Sequence, residues 1–99
     1  MGFEIENCVL EKYTEEQGVT EVVIPDSVTS IGESAFRNCA SLESVVIPNS
    51  VVSIGDSAFF GCESLKSVSV PKNCKIDDYA FDNGVILILN HMHEIIQSL

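Results

Sequence analysis

The sequence predicts an α/β solenoid, mostly β, with one parallel strand and one short helical turn in each 23-residue repeat. Three observations carry this prediction. VTEVVIPDSVTSIGESAFRNCAS, from Val19, returns as LESVVIPNSVVSIGDSAFFGCES from Leu42, and as LKSVSVPKNCKIDDYAFDNG from Leu65. Proline recurs at one place in each copy (Pro25, Pro48, Pro71), as does an Ala-Phe pair (Ala35-Phe36, Ala58-Phe59, Ala80-Phe81). Self-similarity at a fixed short period marks stacked units, none of which can bury its apolar side without a neighbour.

Each copy reads as one turn of the stack. Leu42, Val45 and Ile47 form the pattern L-x-x-V-x-I, matched by Val19, Val22, Ile24 and by Leu65, Val68, Val70. Its last two apolar positions lie two apart, on one face of a short strand. The proline that follows has no N–H and ends the ladder at the same corner each time. Val28 and Ile31, Val51 and Ile54, and Cys74 and Ile76 are the next inward pairs, the last shortened by a one-residue deletion. Gly32 and Gly55 are expected at a bend with unusual backbone angles, with Asp77 in the third copy. Ser-Ala-Phe, or Tyr-Ala-Phe, then suggests a helical or 3₁₀ turn in which alanine permits close packing and phenylalanine fills the centre.

Residues 1–18 read as an N-terminal β-hairpin cap, with strands around Phe3-Glu4-Ile5 and Val9-Leu10 leading to Tyr13. Residues 19–84 are the three repeats. Residues 85–99 abandon the pattern and are expected to form an irregular C-terminal cap. Within it, Val85–Leu89 offers a last strand and His93–Leu99 a short amphipathic helix. The whole is one domain.

Fifteen acidic side chains against five basic ones leave a formal charge of −10. Phosphate backbones demand Lys and Arg clusters, so nucleic acid is excluded as a partner. The apolar run Val85–Leu89 is far too short for membrane insertion. MGFEIENCVLEKY has no basic segment leading into an apolar stretch, so the chain as written reads as cytoplasmic. It reads as surface-exposed or secreted if it is a piece of a longer exported protein.

Four cysteines raise the question of metal or disulfide. There is no C-x-x-C pair, so zinc is unsupported by spacing. Cys39 and Cys62 occupy equivalent places and read as stacked, buried thiols, with a Cys39–Cys62 disulfide as the alternative. His91 and His93 are two candidate metal ligands that lack a third and fourth; the alternative is a pair of exposed tail histidines. The serines recur as turn and outward positions without an assigned base, and no glycine-rich phosphate loop exists. Neither an enzyme nor a cofactor is expected. The remaining binding surface is the outward strand positions Glu21, Val23, Ser44, Val46, Ser67 and Ser69. They define a patch about 15 Å across, for which a merely solvated sheet face is the alternative reading.

The run L-x-x-V-x-I-P-x-S-V-x-S-I-G-x-S-A-F-x-x-C closely resembles the BspA-like class of bacterial leucine-rich repeats, over roughly residues 3–84. The opening FEIENCVLEKYT is similar to a segment that often precedes such repeats, with Asn7-Cys8 where Asn-Gly would be expected. The resemblance implies a leucine-rich-repeat solenoid with a parallel sheet along one face. It also implies a non-enzymatic protein–protein interaction module, often part of bacterial surface proteins that adhere to host or matrix components. The alternative is a structural or self-assembling repeat fragment that associates through the solenoid ends.

Overall fold

The computed structural model describes residues 2–90. An antiparallel hairpin, β1 (Phe3–Glu6) and β2 (Val9–Tyr13), opens the chain. Each following turn of the solenoid contributes a longer and a shorter strand. These are β3 (Glu21–Val23) and β4 (Ser30–Ile31), β5 (Ser44–Val46) and β6 (Ser53–Ile54), then β7 (Ser67–Val70) and β8 (Lys75–Ile76), before β9 (Ile86–Leu89). Two sheets run along the stack, in the orders β1-β2-β4-β6-β8 and β3-β5-β7-β9. Every pairing beyond the hairpin is parallel. Register follows the repeat, with Val22, Val45 and Val68 aligned and Ile31, Ile54 and Ile76 aligned.

Two strand-forming segments per turn replace the single strand expected from the sequence, and the expected helical turn is absent among the described residues. The reason lies in where the backbone N–H groups go. Ser34, Phe36 and Asn38 donate to the carbonyls of Asp56, Ala58 and Phe60 in the next turn, at 3.0, 2.6 and 2.7 Å. Only the alternate residues Ala35, Arg37 and Cys39 bond back within their own segment, to Gly32, Ser34 and Phe36. A helix would bond all of these donors within their own segment. Positive φ at Ser34 (59°) and Asn38 (63°) breaks helical continuity and turns alternate donors toward the neighbour. The third side of the solenoid is therefore a ladder of tight turns.

The core is one continuous column. Val22, Ile24, Val28, Ile31, Ala35, Phe36 and Cys39 are buried in the first turn and Leu42, Val45, Ile47, Val51, Ile54, Ala58, Phe59 and Cys62 in the second, while Cys74, Ile76 and Phe81 of the third are partly buried. Phe3, Tyr13, Phe36, Phe59 and Phe81 stack along the axis, with ring centroids 5.3, 5.0, 4.6 and 4.9 Å apart. Tyr13 thus extends the phenylalanine column into the hairpin, and its N–H donates to the Ala35 carbonyl at 2.8 Å. β2 also joins the shorter-strand sheet through Val9↔Ser30 and Leu10↔Ile31, so the hairpin covers the N-terminal end of the core. Both residues of its turn, Asn7 (φ 53°) and Cys8 (φ 67°), have the positive φ of a type I′ connection, which explains the preference for Asn-Gly there.

The glycine expectation needs correction. Gly32 and Gly55 do not adopt positive φ. They are small because the turns approach closely: a Cβ on Gly55 would lie 3.0 Å from the Glu33 nitrogen and 3.1 Å from the Gly32 carbonyl carbon. Positive φ belongs instead to Gly61 (80°), the equivalent of Asn38.

At the other end, Val85–Leu89 does supply a last strand. β9 pairs in parallel with β7 through Ser67↔Ile86, Val68↔Leu87, Ser69↔Ile88 and Val70↔Leu89. The helix expected over His93–Leu99 lies outside the described residues.

Candidate functional site

Strands β3, β5, β7 and β9 align the outward positions into two rows. One row runs Glu21, Ser44, Ser67, Ile86, and the other Val23, Val46, Ser69, Ile88. The six positions selected from the sequence therefore share one surface. The structure adds Ile86 and Ile88, widening the face by one strand, about 4.8 Å. Val23, Ile86 and Ile88 are 64%, 64% and 51% exposed, while the serines between them are half-buried. Ser44 Oγ donates to Glu21 Oε2 at 3.2 Å, so the acidic corner of the face is tied to its neighbour. Val85–Leu89, expected as a last strand, is apolar throughout, so the sequence does not show which of its residues face outward; Asn90 follows it where Pro71 stands one turn earlier.

That substitution organises the adjoining corner. In the ladder, Ser44 N–H donates to Thr20 C=O and Ile24 N–H to Val46 C=O. The donor due next to the Ile24 carbonyl is position 48, which is proline. Pro71 leaves the Ile47 carbonyl in the same state. In the last turn Asn90 restores an N–H, donating to Val70 C=O at 2.9 Å. Its side chain also reaches back past Pro71: Asn90 Nδ2 donates to the Ile47 carbonyl and to Asn49 Oδ1, both at 3.1 Å. Ser69 Oγ completes the set by bonding Asn90 Oδ1. Beside this cluster lies an open groove of about 640 Å³, whose wall includes Val23, Ile24, Asp26, Val46, Pro48 and Asn90. The groove is continuous with the sheet face through Val23 and Val46. Proline position and strand register together produce it, and neither alone marks it in the sequence.

The cysteines are free thiols. Cys39 and Cys62 are both buried, and Cys62 Sγ donates to the Phe36 carbonyl at 3.0 Å. Contact with Cys39, reinforced by burial, pushes the Cys62 thiol far up, and the same contact draws Cys39 down. Burial pushes half-buried Cys74 up, whereas Cys8 is exposed. Thiol reactivity follows thiolate access. Iodoacetamide at neutral pH is therefore expected to modify Cys8 first and Cys74 slowly, and to spare Cys39 and Cys62 until the chain unfolds. Peptide mapping over time checks this, and labelling of Cys62 at the rate of Cys8 would contradict the packing.

His91 and His93 lie outside the described residues. Among the described residues, no three His, Cys, Asp or Glu side chains converge to hold a metal ion. No helix among them is long and apolar enough to cross a membrane.

The model of the BspA type leucine rich repeat region matches residues 7–98. A leucine-rich repeat protein from Bacteroides capillosus ATCC 29799 is similar in structure, with a TM-score of 0.64 at 26% identity, over 89% of this chain and 92% of that one. A leucine rich cell surface protein from Faecalibacterium prausnitzii A2-165 aligns at 23% identity with a TM-score of 0.45, over 89% of this chain and 37% of that one. Among curated proteins, none matches.

Proposed function

The chain belongs to the BspA type leucine rich repeat family, and from that premise we propose a non-enzymatic protein-interaction module whose exposed sheet face contacts a partner protein. The supporting observation is the unbroken register of β3, β5, β7 and β9, which presents Glu21, Val23, Ser44, Val46, Ser67 and Ser69 as one surface bordered by Ile86 and Ile88. Exposed apolar side chains supply contact area, and the serines between them supply hydrogen-bonding groups. The face is small, so binding is weak or depends on several copies acting together. Leucine-rich-repeat proteins are typically non-enzymatic. Members of this repeat family are often surface-exposed, and display at a cell surface is part of the same proposal.

Selection of displayed peptides on the immobilised chain tests the face directly. Selected peptides are expected to lose binding to the Ser44→Lys/Val46→Lys double variant. Both positions point outward, so thermal unfolding of that variant should match the parent. Peptides that bind the double variant equally well would remove the sheet face as the site.

A further inference from the structure

We propose that the groove at the Pro48 corner receives an arginine side chain of the partner protein, its guanidinium donating to the Ile24 carbonyl and the Asp26 carboxylate. This rests on the sheet-face reading, with which the groove shares Val23 and Val46.

The molecule contains an internal template for such an occupant. One turn along, the equivalent carbonyl of Ile47 takes a side-chain N–H from Asn90, and the same nitrogen serves Asn49 Oδ1. Moving that cluster back by one repeat replaces Ile47 with Ile24 and Asn49 with Asp26, the residue after each proline. It also replaces Ser69 with Val46.

Those replacements define what fits. At the Asn90 corner the amide oxygen is matched by the Ser69 hydroxyl. At the Ile24 corner valine offers no donor, so an incoming amide would leave its oxygen unmatched. A group composed only of donors avoids that cost, and Asp26 favours one with positive charge. Guanidinium is planar, permanently charged and carries five N–H donors, so it can serve a carbonyl and a carboxylate together while its flat faces and aliphatic stem lie against Val23 and Val46. Ammonium is more strongly hydrated and lacks the planar fork. The formal charge of −10 further favours the approach of a basic partner.

The test is an NMR titration of the ¹⁵N-labelled full chain with the capped tripeptide Gly-Arg-Gly, alongside otherwise identical lysine and citrulline peptides. The arginine peptide is expected to shift the amides of Ile24, Asp26 and Asn49 saturably, and the isosteric but neutral citrulline peptide to leave them unmoved. Asp26→Asn should weaken arginine binding about two- to fivefold, the range for an exposed charge pair. Pro48→Ala should weaken it too, by giving the Ile24 carbonyl a backbone donor. Equal binding of the lysine or citrulline peptide would overturn the guanidinium assignment, as would an Asp26→Asn affinity equal to that of the parent. Displayed peptides that need Ser44 and Val46 yet bind Asp26→Asn undiminished would overturn the groove assignment while leaving the sheet face standing. Peptides indifferent to the lysine double variant would instead remove the sheet face itself.

Discussion

Phe59→Ala is expected to cost about 3–5 kcal/mol of folding stability. Phe59 is fully buried, and its ring lies 4.6 Å from that of Phe36 and 4.9 Å from that of Phe81. Removing it opens a cavity in the middle of the column and separates the turns on either side. Collapse cannot close the gap cheaply, because the N–H of residue 59 is bonded to Ala80 C=O and the carbonyl of Ala58 accepts from Phe36 N–H, which holds the turns at their spacing. Domain stability is typically about 5–15 kcal/mol, so this one truncation removes a large share of it. Phe81→Ala, made at a partly buried ring at the end of the column, should cost distinctly less. Urea unfolding of both variants measures the difference; equal losses would mean that the column is not the continuous core described above.

Gly55→Ala carries the second large effect, and its sign is diagnostic. Where φ is ordinary and space exists, Gly→Ala stabilises by about 0.4–1 kcal/mol through the unfolded chain. Here φ is not positive, yet the new methyl would lie 3.0–3.2 Å from backbone atoms of Glu33, Gly32 and Ile31. Those atoms belong to a hydrogen-bonded ladder: Gly55 N–H donates to Ile31 C=O at 2.9 Å. Relief therefore requires the two turns to part, at an overpacking cost of about 1–3 kcal/mol. A melting temperature below that of the parent is the expected outcome. A rise would show that inter-turn spacing yields easily and that close approach is not what requires glycine.

Much of the architecture was legible because a solenoid repeats its physics. Val45 tells the same story as Val22 and Val68, so strand, proline corner and phenylalanine column could each be read three times from the sequence. The third side was misread because Ser-Ala-Phe looks locally helical. Its actual conformation depends on carbonyls of the next turn, such as Ala58 O for Phe36 N–H, a partner 22 residues away. The glycines were misread for a related reason: local sequence suggests unusual torsion, whereas the constraint on Gly55 comes from the neighbouring backbone.

The candidate site divides in the same way. Period-two alternation identified Glu21, Val23, Ser44, Val46, Ser67 and Ser69, since strand geometry alone puts them on one side. Ile86 and Ile88 were left out of the face although Val85–Leu89 was read as a strand, because a uniformly apolar run does not show which side faces outward until the register with Ser67 and Ser69 is set.

By itself, then, the sequence determined a stack of repeated turns, its inward column and its outward strand positions, because each is set by periodic side-chain pattern and by proline's missing N–H. Only the tertiary structure decided the second strand of each turn, the entry of Tyr13 and Phe3 into the aromatic column, and the corner where Asn90 serves the Ile47 carbonyl. The physical reason is that these features are bonds between turns. Their partners are distant in the chain and become neighbours only when the register is set.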